Sequence, residues 1–223
     1  MTIGEVLSVN VAVPERSTAK TVGITGINKR PVDHPVQVRA PGPKLTGLHS
    51  GLAGDQIFDV ANHGGDDQAV YAYAREDYDW WQQQLGRELP GGIFGENLTT
   101  TGVDVNGAVI GETWRIGDEL VLAPTVGRIP CATFQAKMAE PRWVKRFAQE
   151  NRPGAYLRVV RPGLVRAGDR IEVVDRPAHG ITIEYAFRAW MTQPELLPGL
   201  LDVDGIPDDL RAGVERKLSR HRT

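Results

Sequence analysis

The stretch Trp114-Arg115-Ile116-Gly117-Asp118-Glu119-Leu120-Val121-Leu122 places a Gly-Asp pair just ahead of a run of alternating apolar residues. Such a pair is typical of a turn that joins two strands of a sheet. The pattern returns at Val165-Arg166-Ala167-Gly168-Asp169-Arg170-Ile171-Glu172-Val173. Each stretch therefore predicts a hairpin-like corner in a fold that is built mainly from β-strands.

Further strands are predicted towards the N-terminus. Ile3 to Val13 is rich in valine and roughly alternating, and Gln68 to Tyr73 has the same character. A short strand between them contains Val36 and Val38. The chain also holds 25 glycines and 15 prolines, which separate these β-branched runs. Many short strands joined by tight turns are therefore expected.

Helical spacing begins where the Gln68 strand ends. Within Arg75 to Leu85, Tyr78 and Trp81 recur on one face, and Gly86 is a residue that ends helices. Aromatic residues at this spacing are more often part of a core than a stacking surface for a ligand. A second helix is predicted to start near Pro141.

The character of the sequence changes after Arg176-Pro177. Thr192-Gln193-Pro194-Glu195 has the pattern of a capping box that opens a short helix, and a last helix starts near Pro207. We therefore predict a β-rich domain over residues 1–177 and a helical extension over residues 178–223. The extension is expected to pack on the β-rich domain or on a second subunit of a homodimer.

Composition excludes several classes of function. The net charge of −2 and the absence of a basic arm argue against a nucleic-acid partner. No window is apolar enough for a membrane span, and the N-terminus lacks the charged region of a signal peptide. A single cysteine cannot form an internal disulfide. A cytoplasmic protein is therefore expected.

That single cysteine, Cys131, is the first candidate for chemistry. A lone cysteine is more often a small buried apolar residue than a reactive group. Arg128 before it and Lys137 after it nevertheless supply positive charge, which favours a thiolate. A thiolate is a soft metal ligand, but one cysteine cannot build a structural zinc site, and the five histidines show no helical ligand spacing. A metal at Cys131 would have to arrive already chelated by a cofactor.

Three other segments offer polar groups to a ligand. His63 lies in a Gly-rich loop, where it is either a surface residue or a proton donor and anion contact. Asn97 ends a second Gly-rich loop, which lacks the Gly-Lys-Ser/Thr ending of a P-loop. Lys29 and Arg30 are either solvated cations or contacts to a phosphate.

Taken in order, these segments resemble the MOSC family, the molybdenum cofactor sulfurase C-terminal domain. The resemblance is closest to the stand-alone bacterial members linked to resistance against N-hydroxylated bases, and it runs from about residue 3 to residue 177. The matching stretches are Lys29-Arg30-Pro31-Val32, Gly51-Leu52-Ala53-Gly54-Asp55, His63-Gly64-Gly65, Ala69-Val70-Tyr71-Ala72-Tyr73, Phe94-Gly95-Glu96-Asn97-Leu98-Thr99, Ile116-Gly117-Asp118, Cys131 and Ala167-Gly168-Asp169.

The resemblance implies a barrel of the pyruvate-kinase-like type, followed by a short three-helix extension. It also implies a molybdenum-pterin cofactor. Cys131 matches the family cysteine that ligates molybdenum in the amidoxime-reducing relatives and is proposed to carry sulfur in the sulfurase relatives. Lys29 and His63 match basic pocket residues, and they are the expected catalytic partners of Cys131. The expected cofactor-binding residues are Asn97, Thr99, Arg30, Arg128 and Thr133.

Two positions depart from the family pattern. Gly95 stands where the amidoxime-reducing relatives have an arginine, and Gln68 stands where many bacterial relatives have lysine or arginine. Recognition of the cofactor phosphate must then use other cations, for which Arg128 and Lys29 are the candidates.

The leading interpretation is a molybdenum-dependent oxidoreductase that reduces N-hydroxylated compounds such as hydroxylaminopurines or amidoximes. His63, with an ordinary pKa of about 6.5, would deliver the proton. Electrons would come from a separate reductase, because the sequence has no flavin, haem or iron–sulfur motif.

Two other functions stay open. In the first, Cys131 forms a persulfide and passes sulfur to a partner protein, which requires an exposed and mobile cysteine. In the second, Cys131 and His63 form a nucleophilic pair, although the sequence places no acidic residue to orient His63. Pyridoxal phosphate is sometimes inferred for the wider family, but no lysine is singled out here for a Schiff base.

Overall fold

The computed structural model of the protein describes residues 3–220, so residues 1–2 and 221–223, at the outer ends of the two predicted domains, lie outside the described residues. The strands are β1 (Ile3–Ala12), β2 (Glu15–Arg16), β3 (Ile24–Thr25), β4 (Lys29–Val32), β5 (Val36–Val38), β6 (Val70–Ala74), β7 (Leu98–Thr101), β8 (Thr113–Ile116), β9 (Leu120–Val126), β10 (Ala155–Arg161), β11 (Gly163–Val165) and β12 (Arg170–Asp175). The helices are α1 (Arg75–Leu85), α2 (Ala132–Met138), α3 (Trp143–Glu150), α4 (Ile183–Met191), α5 (Pro198–Leu201) and α6 (Asp208–Arg220), and 3-10 turns lie at Asp66–Gln68 and Pro194–Leu196.

Within residues 3–220, seven strands close into a mixed β-barrel. Their order is β1, β7, β6, β10, β9, β8 and β12, and β12 pairs back with β1 to complete the ring. The β6–β7 pair is parallel, and the other neighbours in the ring are antiparallel. Strand β4 pairs with the far end of β1. The predicted strand-rich barrel with helices is confirmed.

The barrel closes around an apolar core because its strands alternate. In β1, Val6 and Val9 are fully buried, and in β8 Trp114 and Ile116 face inward while Arg115 between them is exposed. Trp114 keeps its indole hydrogen bond by donating from Nε1 to Oε1 of buried Glu112 at 2.7 Å. The interior of the barrel is therefore packed with side chains.

A second apolar cluster lies outside the barrel, beneath α1, α2 and α3. Tyr78 and Trp81 of α1 are fully buried there, as their spacing predicts, and Gly86 ends the helix with φ of 63°. The rings of Tyr73 and Phe94 stack at 4.1 Å between centroids. This aromatic cluster ties the helices to strand β6 and forms the floor beneath the Cys131 segment.

The C-terminal helices share the hydrophobic core of the barrel. The backbone N–H of Ile183 donates to the carbonyl oxygen of Ala108 at 2.9 Å, which docks the start of α4 on the barrel segment before β8. Buried residues from the barrel and from the helices form one continuous cluster, with Ile183, Ala186, Ala189, Leu197, Leu200, Val203, Ile206 and Val214 on the helical side. The predicted boundary near residue 177 therefore marks a change from strands to helices within a shared core.

Two local predictions are wrong. The short helix predicted to run to Leu201 is present, as a 3-10 turn at Pro194–Leu196 followed by α5, but the Thr192 hydroxyl does not cap it. That hydroxyl donates instead to the carbonyl oxygen of Arg188 at the end of α4, a helix that the local sequence pattern did not locate. The second Gly-Asp stretch, around Gly168, is not a hairpin, because β11 pairs with β5 while β12 pairs with β8 and β1. The same local turn thus joins strands of different sheets.

Gly154 provides a test of how closely β10 approaches β6. It has φ of 63°, and an added Cβ would lie 2.6 Å from the carbonyl oxygen of Ala72. Gly154→Ala should lower the free energy of unfolding by about 2–4 kcal/mol, from left-handed strain plus overlap. Gly86 has the same φ and nothing within 4 Å, so Gly86→Ala should cost only about 1 kcal/mol. Equal losses in urea denaturation would contradict this packing.

Candidate functional site

One cleft at the surface of the barrel collects most of the predicted site residues. It has a volume of about 100 Å³, and we call it the Cys131 cleft. Its walls come from the segment before β4, the loops after β5, the segment before β7 and the segment that leads into α2. Six of the eight predicted site residues line it, namely Lys29, His63, Asn97, Arg128, Cys131 and Thr133.

Cys131 lies at the junction between the barrel and the aromatic cluster. It precedes α2 with an extended backbone (φ −136°), and its carbonyl oxygen accepts the first helical hydrogen bond, from Gln135. Its side chain is partly buried against the aromatic cluster. Lys137, expected to add positive charge beside it, instead donates from Nζ to Oδ1 of Asn28 at 2.9 Å. The cation beside Cys131 is therefore Arg128.

Arg128 is a buried cation without an acidic partner. Its Nη1 donates to the carbonyl oxygen of Phe94, and the guanidinium lies 4.3 Å from the centroid of the Phe134 ring. No salt bridge to Arg128 is present among residues 3–220, and its Nε is buried without a hydrogen-bond partner. Burial would lower the pKa of Arg128, but nearby Tyr156, Tyr71 and Cys131 outweigh this and raise it. The guanidinium is therefore charged and has an unused donor beside Cys131.

The lack of a side chain at Gly95 makes room for this cation. Gly95 has φ of 73°, and an added Cβ would lie 2.8 Å from Nη1 of Arg128. The departure from an arginine at this position thus has a structural reason, since Arg128 fills the space beside it. The guanidinium in this corner of the cleft therefore comes from Arg128, in the segment between β9 and α2, and not from position 95 before β7.

Lys29 is neutralised by a residue that sequence reasoning missed. Its Nζ lies 2.5 Å from Oδ1 of Asp55, and both side chains are almost fully buried. Burial would raise the pKa of Asp55, but the charge of Lys29 and hydrogen bonds from Lys29, Ser50 and Asn97 hold it below its usual value. Lys29 therefore contributes a buried ion pair rather than a free positive charge.

Asn97 is occupied by the same network. Its Nδ2 donates to Oδ2 of Asp55 at 3.0 Å and to the carbonyl oxygen of Asn10 at 3.3 Å. Its Oδ1 accepts from the backbone N–H of Tyr71 at 3.1 Å. The amide joins β1, β6 and β7 at the cleft, and its oxygen and nitrogen are already hydrogen-bonded within the protein.

Two of the predicted residues lie away from the cleft. Arg30 is exposed on β4, because alternation along the strand turns it away from the buried side of Lys29. Thr99 is buried, where its hydroxyl donates to Oε1 of Glu96 at 2.7 Å and accepts from Nδ2 of Asn10. Neither residue lines the Cys131 cleft.

His63 is not the acid that its ordinary pKa suggested. Burial, with Arg128 and Lys20 nearby, lowers its pKa to about 4, although Asp59 acts in the opposite direction with its Oδ2 4.0 Å from Nε2. The ring is therefore neutral at neutral pH. It can accept a hydrogen bond or a proton in the cleft, but it is a poor store of a transferable proton.

Tyr156 is a cleft residue that the sequence did not single out. The register of β10 sets it opposite Tyr71 of β6 and Val126 of β9, and its ring centroid lies 4.9 Å from that of Tyr71. Burial raises its pKa, although Arg128 acts to lower it, so the phenol keeps its proton at neutral pH. The sequence shows a tyrosine in an alternating strand, but which residues surround it depends on pairing between strands that are distant in the chain.

No group of three or more His, Cys, Asp or Glu side chains that could hold a metal ion is found among residues 3–220. In the same range, no helix combines the length and the apolar character that crossing a bilayer requires. Any metal at Cys131 would thus need most of its ligands from a cofactor.

The lowered pKa of His63 predicts a pH-dependent stability. Between about pH 4 and 6.5 the unfolded chain binds a proton at His63 that the folded chain excludes, so stability should fall as pH falls through this window, by at most about 3 kcal/mol. His63→Gln should remove this part of the pH dependence, and His34→Gln, at an exposed position, should not. An NMR titration of the His63 ring with a midpoint near 6.5 would contradict the assignment.

Comparisons with known proteins agree with this architecture. A crystal structure of YiiM from Geobacillus stearothermophilus superposes with a TM-score of 0.76 at 24% identity, over 96% of this chain and 99% of the other. The protein YflK of Bacillus subtilis (strain 168) is 34% identical over 184 residues, which are 82% of this chain and 79% of the relative. A protein named Reductase from Gibberella moniliformis is 31% identical over 131 residues, 57% of this chain but only 23% of the relative.

The family model described as MOSC domain matches residues 59–172, about half of the chain. This range includes His63, Asn97, Arg128, Cys131 and Tyr156 of the cleft. The chain therefore belongs to the MOSC domain family.

Proposed function

We propose that the protein is a molybdenum-cofactor-dependent reductase of N-hydroxylated compounds. The observation that carries the proposal is the charged, buried Arg128, which has an unused Nε donor and lies close enough to Cys131 for the two to interact electrostatically. An uncompensated buried cation is costly, and an anionic ligand would offset that cost. A soft thiol and an anion-binding guanidinium in one cleft fit a metal that is carried by a phosphorylated organic cofactor.

Three residues of the cleft would hold such a group. Cys131 would supply the protein ligand to the metal, and Arg128 would hold the anionic part of the cofactor. Thr133 lines the same cleft and would offer a hydroxyl. When bound, the cofactor would supply two-electron reduction of the substrate N–O bond. That reaction consumes two electrons and two protons, and it yields an amine or amidine and water.

The surrounding network would hold these groups in place. Asp55 fixes Lys29 and Asn97 by direct hydrogen bonds at 2.5–3.0 Å, so this wall of the cleft is rigid before any ligand arrives. Tyr156 would offer a proton to the reacting nitrogen or oxygen, because it lines the cleft and its phenol stays protonated there. His63, neutral at working pH, would accept a hydrogen bond from the substrate.

The comparisons support the coarser part of this proposal. MOSC domains are associated with the molybdenum cofactor at the level of the family, and one relative is named a reductase. The chain covers less than a quarter of that relative, so reductase activity is a proposal for this chain. The separate reductase that supplies electrons is part of the same proposal.

The sulfur-carrier alternative is less well supported. Cys131 is partly buried at the wall of a cleft, whereas a persulfide donor needs an exposed and mobile thiol. The nucleophilic alternative asks for a base beside the thiol, and His63 shares the cleft with a residue that could orient it, Asp59. It leaves the unpaired Arg128 without a role, which is why we favour the reductase.

Metal content gives the first test. Chain produced in a host that makes the molybdenum cofactor should hold molybdenum near one per chain, and Cys131→Ser should lose it. Arg128→Met, which removes the charge and keeps a long side chain, should lower the content at least about tenfold, because a buried charge-assisted contact contributes about 1.5–3 kcal/mol. Arg39→Met, at an exposed position outside the cleft, is the matched control. Normal molybdenum in Cys131→Ser would exclude the proposed site.

The role of Tyr156 gives a second test. Tyr156→Phe should lower kcat for benzamidoxime reduction by about 100-fold, as expected for loss of a positioned acid, with little change in molybdenum content. Tyr185→Phe removes a hydroxyl from the C-terminal helices and serves as the control. Activity would be followed with a chemical electron donor. An unchanged kcat in Tyr156→Phe would remove the phenol from the mechanism.

A further inference from the structure

The Cys131 cleft is small for the ligand that it is proposed to hold. Its volume is about 100 Å³, whereas sites for cofactors and other organic molecules usually measure about 300–1,000 Å³. A ligand of that size can reach Cys131 only if one wall of the cleft moves outward. Which wall can move depends on how firmly each of them is attached to the barrel.

Most walls of the cleft are held by the fold. Lys29 and Asn97 belong to the buried network of Asp55. Arg128 is buried and donates to a backbone carbonyl oxygen, and Tyr156 lies in a barrel strand that is paired on both sides. Moving any of these side chains away would break buried hydrogen bonds or strand pairs.

The wall with the fewest attachments is a short hairpin over residues 14–25, which we call the flap. It contains β2 and β3, and within residues 3–220 these strands pair only with each other. Every residue of the flap is at least partly exposed, including Val22 and Ile24, although both line the cleft. Little apolar surface is therefore buried to hold the flap in place.

One ion pair fastens the tip of the flap. Lys20 donates from Nζ to Oδ2 of Asp59, and both residues line the cleft. Within residues 3–220 this is the one ion pair between the flap and another segment. Asp59 is held by its own loop, since its Oδ1 accepts from Nδ2 of Asn62 at 2.9 Å and its carbonyl oxygen accepts from the backbone N–H of His63 at 3.0 Å.

The base of the flap is fixed by a close approach of two backbones. An added Cβ at Gly26 would overlap the carbonyl oxygen of Gln56, so the two segments touch there. Next to it, the backbone N–H of Val13 donates to the carbonyl oxygen of Asn28 at 2.7 Å. The flap is thus attached firmly at its base and by a single ion pair at its tip, which is the arrangement of a hinged cover.

We propose that the flap is a gate on the Cys131 cleft and that the Lys20–Asp59 ion pair is its latch. When the latch is released, the flap turns about its base near Gly26 and admits a ligand of cofactor size to Cys131. The inference rests on the proposed function for the size of the ligand, and it adds how that ligand is admitted. An ion pair between partly exposed side chains is weak, so the gate can open readily.

Alkylation of Cys131 by iodoacetamide in the full chain tests the gate without any cofactor. Lys20→Met and Asp59→Asn each remove the latch, and each should raise the rate at neutral pH about two- to fivefold, as expected for loss of a partly exposed ion pair. Lys20→Asp combined with Asp59→Lys restores an ion pair of reversed polarity and should bring the rate back towards that of the wild type. Asp79→Asn, which breaks the exposed Arg75–Asp79 pair on α1, is the matched control and should leave the rate unchanged.

The two single variants separate a gate from a local effect of charge. By charge alone, loss of the Lys20 ammonium disfavours a thiolate and should slow alkylation, whereas loss of the Asp59 carboxylate should speed it up. A faster reaction in both variants therefore supports the gate. Any other pattern, including opposite changes or no change, overturns the proposal.

Hydrogen–deuterium exchange locates the motion. In both latch variants the amide protons of residues 14–25 should exchange faster, while those of Leu98–Thr101 in the barrel should not. Faster exchange in both segments would indicate a general loss of stability and would also overturn the gate. Neither measurement needs molybdenum, so a chain that passes both and takes up no molybdenum keeps the gate and loses the reductase.

Discussion

The carboxylate of Asp55 is the contact on which the arrangement of the site depends. It accepts from Lys29 of β4, from Asn97 beside β7, from Ser50 of its own loop and from the backbone N–H of Ala12 in β1. Four donors on one buried acid join strands that are far apart in sequence. Because this network uses the Lys29 charge and the Asn97 amide, Arg128 is left as the cation that can meet a ligand.

Much of the fold could be predicted because its signals are local. Alternation located β1, helical spacing located α1, and glycine marked its end at Gly86. Predictions failed where pairing is long-range: the turn at Gly168 has a hairpin sequence, but β11 and β12 join different partners. Helix α4 was missed although its signal is also local, since Ile183, Ala186 and Phe187 recur at helical spacing and are buried.

The site was predictable as a set of residues but not in its electrostatics. Six of the eight residues predicted from the family motifs line one cleft, while strand alternation places Arg30 at the surface. The neutral His63, the neutralised Lys29 and the role of Tyr156 follow from burial and from neighbours contributed by other strands. The strand register of the barrel determines these neighbours, and the pattern of a single sequence does not reveal that register.

Gly95 and Arg128 also constrain how the family can diverge. An added Cβ at position 95 would lie 2.8 Å from Nη1 of Arg128, so any side chain at 95 requires the guanidinium to shift and also a left-handed backbone. Positions 95 and 128 are thus coupled in this backbone: a side chain at 95 would be accommodated more easily beside a residue shorter than arginine at 128.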